Sequence, residues 1–141
     1  MDQREEVIHY WGRATARPQH QVELPMDPIS ENDRKVANIA TGDFKPFLTD
    51  DGTPDGEVLQ VNGGKRGYGF HIYRMEPGAT TVAHTHHGAE EFFLIEGDLR
   101  DHDGYEYKPG DIVCLADGTM HNSSTTNGCT LVVYLRGADG F

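Results

Sequence analysis

The chain has 141 residues, enough for one domain with one core and one site. Its 12 Lys and Arg against 23 Asp and Glu give a formal net charge of −11, which opposes phosphate backbones and anionic membrane surfaces, so neither nucleic acid nor membrane is an expected partner. No apolar run approaches the ~18–20 residues of a membrane helix, the opening residues read without an apolar signal core, and a cytoplasmic protein is the expectation.

Residues 1–50 are polar and irregular, and Pro18, Pro25, Pro28 and Pro46 interrupt any long helix after Arg17. A short helix over Glu5 to Gly12 and a weak helix start at Ser30 to Asp33, ahead of Val36, Ile39 and Ala40, are predicted. The segment reads as an N-terminal arm that packs over the domain or onto a second subunit, in preference to a lid over a site. From residue 51 to 141 turn signals recur every ~8–12 residues, from Asp50-Asp51-Gly52 to Asn127-Gly128, and predict an all-β sandwich or barrel. The expected strands are Glu57 to Val61, Tyr68 to Met75, Thr80 to His84, Glu90 to Glu96, Leu99 to Asp101, Tyr105 to Tyr107, Ile112 to Leu115 and Cys129 to Leu135. The two cysteines, Cys114 and Cys129, read as buried small hydrophobes rather than a disulfide framework.

Of 8 histidines, three fall with one glutamate into a pattern that carries chemistry. His84 and His86 stand two apart on a strand and so point the same way, while Thr85 faces away. Glu90 keeps their parity after a turn, with Glu91 as its opposite-face competitor, and His121 follows Gly118 on a returning strand. Three nitrogens and one carboxylate oxygen suit Fe(II), Mn, Ni, Co, Cu or Zn and disfavour Ca or Mg.

The run from Gly78 through His84, His86 and Glu90 to Gly97 resembles the first motif of the cupin family, and Gly110 through Gly118 to His121 resembles the second. Ala116 replaces the usual proline and Thr125 the usual asparagine; neither is a ligand position. The resemblance implies a double-stranded β-helix, the jelly-roll barrel, over residues 51–141, with one divalent transition metal per chain held by His84, His86, Glu90 and His121. Homodimers are common in the family and are expected here. The His84-Thr-His86-His-Gly-Ala-Glu90-Glu91 run, the hairpin at Asp101 to Gly104 and the Asn127-Gly-Cys129-Thr130 opening of the last strand are closest to the ChrR-like subgroup. That subgroup includes a zinc-binding anti-sigma factor. The same small cupins include acetylacetone-type dioxygenases.

On this resemblance the chain is expected to be a metal-dependent dioxygenase acting on a small diketone, hydroxyketone or phenolic substrate. Iron(II) with four protein donors would keep about two of six positions for O2 and substrate, whereas zinc would be filled by four and describe a sensor or regulatory module. A non-redox isomerase or lyase is a third reading. Candidate pocket residues are Phe70, Tyr73, Met75, Phe92, Leu94, Met120 and Tyr134, each with core packing as its plainer role. His71 and His87 read as a satisfied strand residue and a rim residue. His9, His20 and His102 have no expected role, and the acidic run from Asp98 to Asp103 reads as solvated surface.

Overall fold

The computed structural model describes residues 25–137. The chain divides into one unit ending at Ser30 and another beginning at Glu31; of the first, residues 25–30 are described and have no regular secondary structure. The helix expected over Glu5 to Gly12, like His9 and His20, lies outside the described residues.

Among the described residues the second unit has eleven strands: β1 Lys45–Leu48, β2 Pro54–Leu59, β3 Gly69–Met75, β4 His84–Thr85, β5 Glu90–Gly97, β6 Leu99–Asp101, β7 Glu106–Tyr107, β8 Ile112–Leu115, β9 Met120–His121, β10 Ser123–Ser124 and β11 Cys129–Leu135. They form antiparallel ladders in three groups, ordered β1-β2-β3-β11-β5-β8, β10-β6-β7 and β4-β9. The all-β expectation holds, and β6, β8 and β11 carry the bounds read from the sequence.

Alternation drives the packing. In β5 the side chains of Phe92 and Leu94 are buried while Glu91 and Phe93 are exposed, and in β3 Gly69, His71 and Met75 are buried while Phe70 is exposed. The inward residues of the largest sheet, Met75, Phe92, Leu94, Leu131 and Val133, meet Leu99 and Tyr107 of the three-stranded sheet in one cluster, with Leu94 fully buried at its centre.

β2 runs Pro54–Leu59 rather than Glu57 to Val61, β10 has no expected counterpart, and three further elements differ from expectation. Lys45–Leu48 falls inside the stretch read as an arm, yet it pairs with β2; as the outermost strand it tolerates Pro46, whose missing N–H would break a central ladder. Thr80 makes only an isolated bridge to Ser124, and the strand expected there shrinks to His84–Thr85. The helix start at Ser30 yields one 3₁₀ turn, Glu31–Asp33, and nothing helical follows. Instead the Asn38 side chain accepts from the Ala40 N–H at 2.8 Å, a local turn that competes with helix.

Candidate metal centre

The short β4-β9 ladder places His84 directly opposite His121, and His86 follows one step beyond β4. His86 N–H donates to Thr119 O at 2.9 Å and Gly118 N–H to His86 O at 2.9 Å, so the backbone itself clamps the pair of loops. The three imidazoles are mutually tilted or edge-on, with centroids 4.7–5.0 Å apart. One ring nitrogen from each of His84, His86 and His121 lies within 4.8 Å of the others, a group able to hold a metal ion.

Hydrogen bonding on the far side of each ring fixes which nitrogen faces inward. His84 Nδ1 lies 2.8 Å from Val82 O, a carbonyl that can only accept. His86 Nδ1 lies 3.0 Å from Thr119 Oγ1, whose own hydroxyl is donated to Ala116 O at 2.8 Å, leaving the oxygen to accept from the ring. His121 Nδ1 donates to Asp101 Oδ1 at 3.1 Å. Each Nδ1 therefore carries a proton, so each ring turns Nε2 into the site, where its neutral form presents a lone pair. His84 Nε2 and His86 Nε2 face one another at 3.2 Å, so that with both rings neutral two lone pairs meet, a pairing that a shared metal ion relieves.

Glu90, the first residue of β5, directs its carboxylate to the same place, with oxygens 3.5 Å from His86 Nε2 and 3.9 Å from His121 Nε2. Glu91 points outward and is exposed. Burial pushes the Glu90 carboxyl above its ordinary value, against the opposing pull of His121 and His84. Burial, with the neighbouring His121 and His84, lowers His86 to about 4, so this imidazole is neutral at physiological pH and free to ligate. Burial also acts to lower His121, but the Asp101 hydrogen bond and charge outweigh it and the net direction is upward.

Asp101 is the residue that sequence reading missed. It sits in an acidic run, yet it is buried, and its carboxylate accepts from Tyr107 Oη at 2.6 Å, Ser123 Oγ at 2.5 Å and His121 Nδ1. Burial raises its pKa, but the three donors prevail and hold it at about 2. A carboxylate fixed in this way orients a metal-binding imidazole and raises its basicity. Asp101→Asn is expected to weaken transition-metal affinity ~10–100-fold with the fold retained, read by competition with a chromophoric chelator. Undiminished affinity would show that Asp101 serves packing alone.

The four groups open onto a cavity of about 470 Å³. Of the expected pocket residues, Tyr73, Met75 and Phe92 line it. The other four do not. Phe70 and Tyr134 have the opposite strand parity and face the outside of the sheet, Met120 is exposed beside inward His121, and Leu94 is sealed in the core behind the cavity. His71, expected as a satisfied strand residue, shares parity with Tyr73 and Met75, lines the cavity and is anchored by Gly69 O at 2.9 Å. His87 is exposed on the rim and His102 is exposed in its hairpin. Cys129 is buried as expected, but Cys114 on the edge strand β8 is exposed.

The metal-free protein carries an acid sensitivity from His86. Its folded pKa lies below the ordinary 6.5, so its contribution to stability is complete above 6.5 and is lost as pH falls toward 4. The melting temperature of metal-free protein is expected to fall over that interval and to fall less in His86→Gln, followed by calorimetry. An identical decline in both proteins would remove His86 as the cause.

Among the described residues no helix is long and apolar enough to cross a membrane. Residues 32–138 match the family described as the ChrR Cupin-like domain. No curated protein matches the sequence. Among solved structures, a cupin-like protein of unknown function from Ralstonia eutropha shares 16% identity at a TM-score of 0.53, covering 69% of this chain and 71% of that one. The anti-sigma ChrR complex with SigE from Rhodobacter sphaeroides shows 19% identity and a TM-score of 0.44 over 54% of this chain. The Cnp3 cupin domain of Schizosaccharomyces pombe shows 13% and 0.46 over 55%. The matches span only 40% and 57% of those last two chains. With the family match running from the 3₁₀ turn through the last strand, and the all-β architecture shared with a cupin-like structure, the chain belongs to the ChrR Cupin-like domain family of the cupins.

Proposed function

We propose that the protein binds one divalent transition metal through His84, His86, Glu90 and His121 and uses it as a dioxygenase acting on a small diketone, hydroxyketone or phenolic compound. The observation that supports this reading is the joining of donors to cavity: three Nε2 atoms and a carboxylate line one space of about 470 Å³, within the size range of small-molecule sites. A purely structural ion has no use for such a space. The donor set fits iron, manganese, nickel, cobalt or zinc, since imidazole suits all of them and one carboxylate offsets part of the charge. Bound iron(II) would supply oxygen activation and a template for a chelating substrate.

The protein's own part is holding and sheltering. The Val82, Thr119 and Asp101 acceptors hold the rings in the ligating tautomer. Val58, Met75, Phe92, Leu131 and Val133 provide apolar walls that limit water at the reacting end. Tyr73 donates its hydroxyl to Asp55 O at 2.9 Å, which fixes the ring as a rigid part of the wall.

Oxygen uptake by iron-loaded protein against acetylacetone, hydroxyketones and catechols tests the proposal. Uptake that depends on both substrate and metal and disappears in His86→Ala is the expected result; no uptake with any of them would refute it. A second reading, a zinc-binding regulatory module, is favoured by the family match itself. It predicts no oxygen consumption and a protein partner retained by the zinc-loaded but not the zinc-free form.

A further inference from the structure

The chain as a whole is strongly acidic, yet the exposed rim of its cavity gathers three cations, Lys65, Arg66 and Arg136, against one exposed carboxylate, Asp50. The other two carboxylates lining the cavity are committed elsewhere. Glu90 faces His86 and His121, and Asp55 is buried with both oxygens at 3.3 Å from Val82 N. Among the described residues none of the three cations has a carboxylate within ion-pairing distance; the Lys and Arg pairs are Lys45 with Asp43 and Arg74 with Glu57.

The segment carrying Lys65 and Arg66, between β2 and β3, is held in place rather than trailing in solvent. Gln60 supports it from both ends of its amide: Oε1 accepts from Gly67 N at 2.9 Å, and Nε2 donates to Lys65 O at 3.1 Å. Gly67 has φ of +82°, and a Cβ there would strike the Phe47 ring, so only glycine lets the segment close onto that wall. Arg66 Nη1 donates to Pro46 O at 2.9 Å, which spends one of five N–H donors and leaves the rest of the guanidinium unpaired. Lys65 Nζ lies over the Tyr68 ring at 4.7 Å. Arg136, just past the end of β11, lines the opening with its N–H donated to Ala89 O at 3.3 Å, while its guanidinium lies 5.7 Å from the centroid of the outward-facing Tyr134 ring.

The cavity is therefore lined by the histidine and glutamate cluster, by apolar walls and by exposed cations. We propose that its ligand is a small organic anion, with chelating oxygens at the histidine end, an apolar middle, and a terminal carboxylate held at the rim by Lys65 and Arg66, with Arg136 adding positive charge nearby. The proposal rests on the metal-dependent reading above and adds the charge of the substrate. Positive potential at a cleft mouth on an acidic protein selects anions from solution and orients them end-on, with a strength that falls as salt rises.

Succinylacetone, a diketone with one terminal carboxylate, and its methyl ester differ at the rim end alone. Both are titrated by calorimetry into protein whose zinc content has been measured. Succinylacetone is expected to bind at least about tenfold more tightly than the ester at low salt. The preference shrinks with added salt and falls below about threefold in the Lys65→Ala/Arg66→Ala double variant, with a smaller loss in Arg136→Ala. Equal binding of acid and ester, or a preference unchanged in both variants, overturns the inference and leaves the metal site standing. Failure of zinc-loaded protein to bind either compound overturns it too. Protein that takes up no zinc refutes the metal-dependent reading and the inference with it.

Discussion

His86→Ala and His121→Ala are each expected to lower transition-metal affinity at least about tenfold, ~1.4 kcal/mol or more, while the far-ultraviolet circular dichroism remains that of a β protein. Each substitution removes one of three inward Nε2 donors, and neither opens a void in the main core, because the site stands beside the cavity rather than inside the Leu94 cluster. Asp101 keeps Tyr107 and Ser123 as donors when His121 is gone, so the buried carboxylate is not orphaned. Glu90→Gln keeps the shape of the side chain but removes its negative charge, and a weakening in that variant separates a ligating carboxylate from a neighbouring one. Affinity measured by chelator competition decides the matter, and wild-type affinity in all three variants would dismantle the site.

The largest expected effect on folding comes from a residue with no side chain. Gly97 ends β5 at φ of +87°, and a Cβ built there lands on Gly128 O and within 2.7 Å of Cys129 Cα. Both are backbone atoms, pinned by the Asp98 carboxylate, which accepts from Thr126 N at 2.7 Å and Asn127 N at 2.8 Å. The strand end cannot shift without disturbing the start of β11, which pairs with both β3 and β5. Gly97→Ala is therefore expected to cost ~2–5 kcal/mol, the left-handed backbone penalty plus overpacking. Gly78 is the control: its φ is +80° but nothing lies within 4 Å of the added carbon, so Gly78→Ala should cost only ~1–2 kcal/mol. Urea unfolding of the two variants measures the difference, and equal losses would mean that backbone conformation alone governs both sites.

The cluster of candidate donors was readable because it obeys a two-residue period. His84 and His86 share a face, and Glu90 keeps that face across a turn whose glycine, Gly88, has φ of +100°. The same period separates cavity wall from outer face. His71, Tyr73 and Met75 share a parity that Phe70 lacks, and Leu131, Val133 and Leu135 share one that Tyr134 lacks. Asp101 was hidden for a different reason. Within a run of acids at a hairpin its burial depends on Tyr107, Ser123 and His121, which approach from three other strands, and no local pattern encodes those approaches. β1 was obscured by Pro46, since a proline argues against a strand unless the strand is known to lie at an edge, and that position is a tertiary fact. The cationic rim likewise joins residues 65, 66 and 136, which only the pairing of β3 with β11 brings to one opening.

Elemental analysis of protein purified without a metal-affinity column or added metal, and again after incubation of metal-free protein with iron(II), cobalt(II) or zinc(II), tests the central claim most directly. About one equivalent of a transition metal per chain, lost in His86→Ala, is the predicted result. Wild-type protein that stays free of metal in every preparation would contradict the account, because the facing lone pairs of His84 and His86 would then be joined by a proton rather than a metal ion.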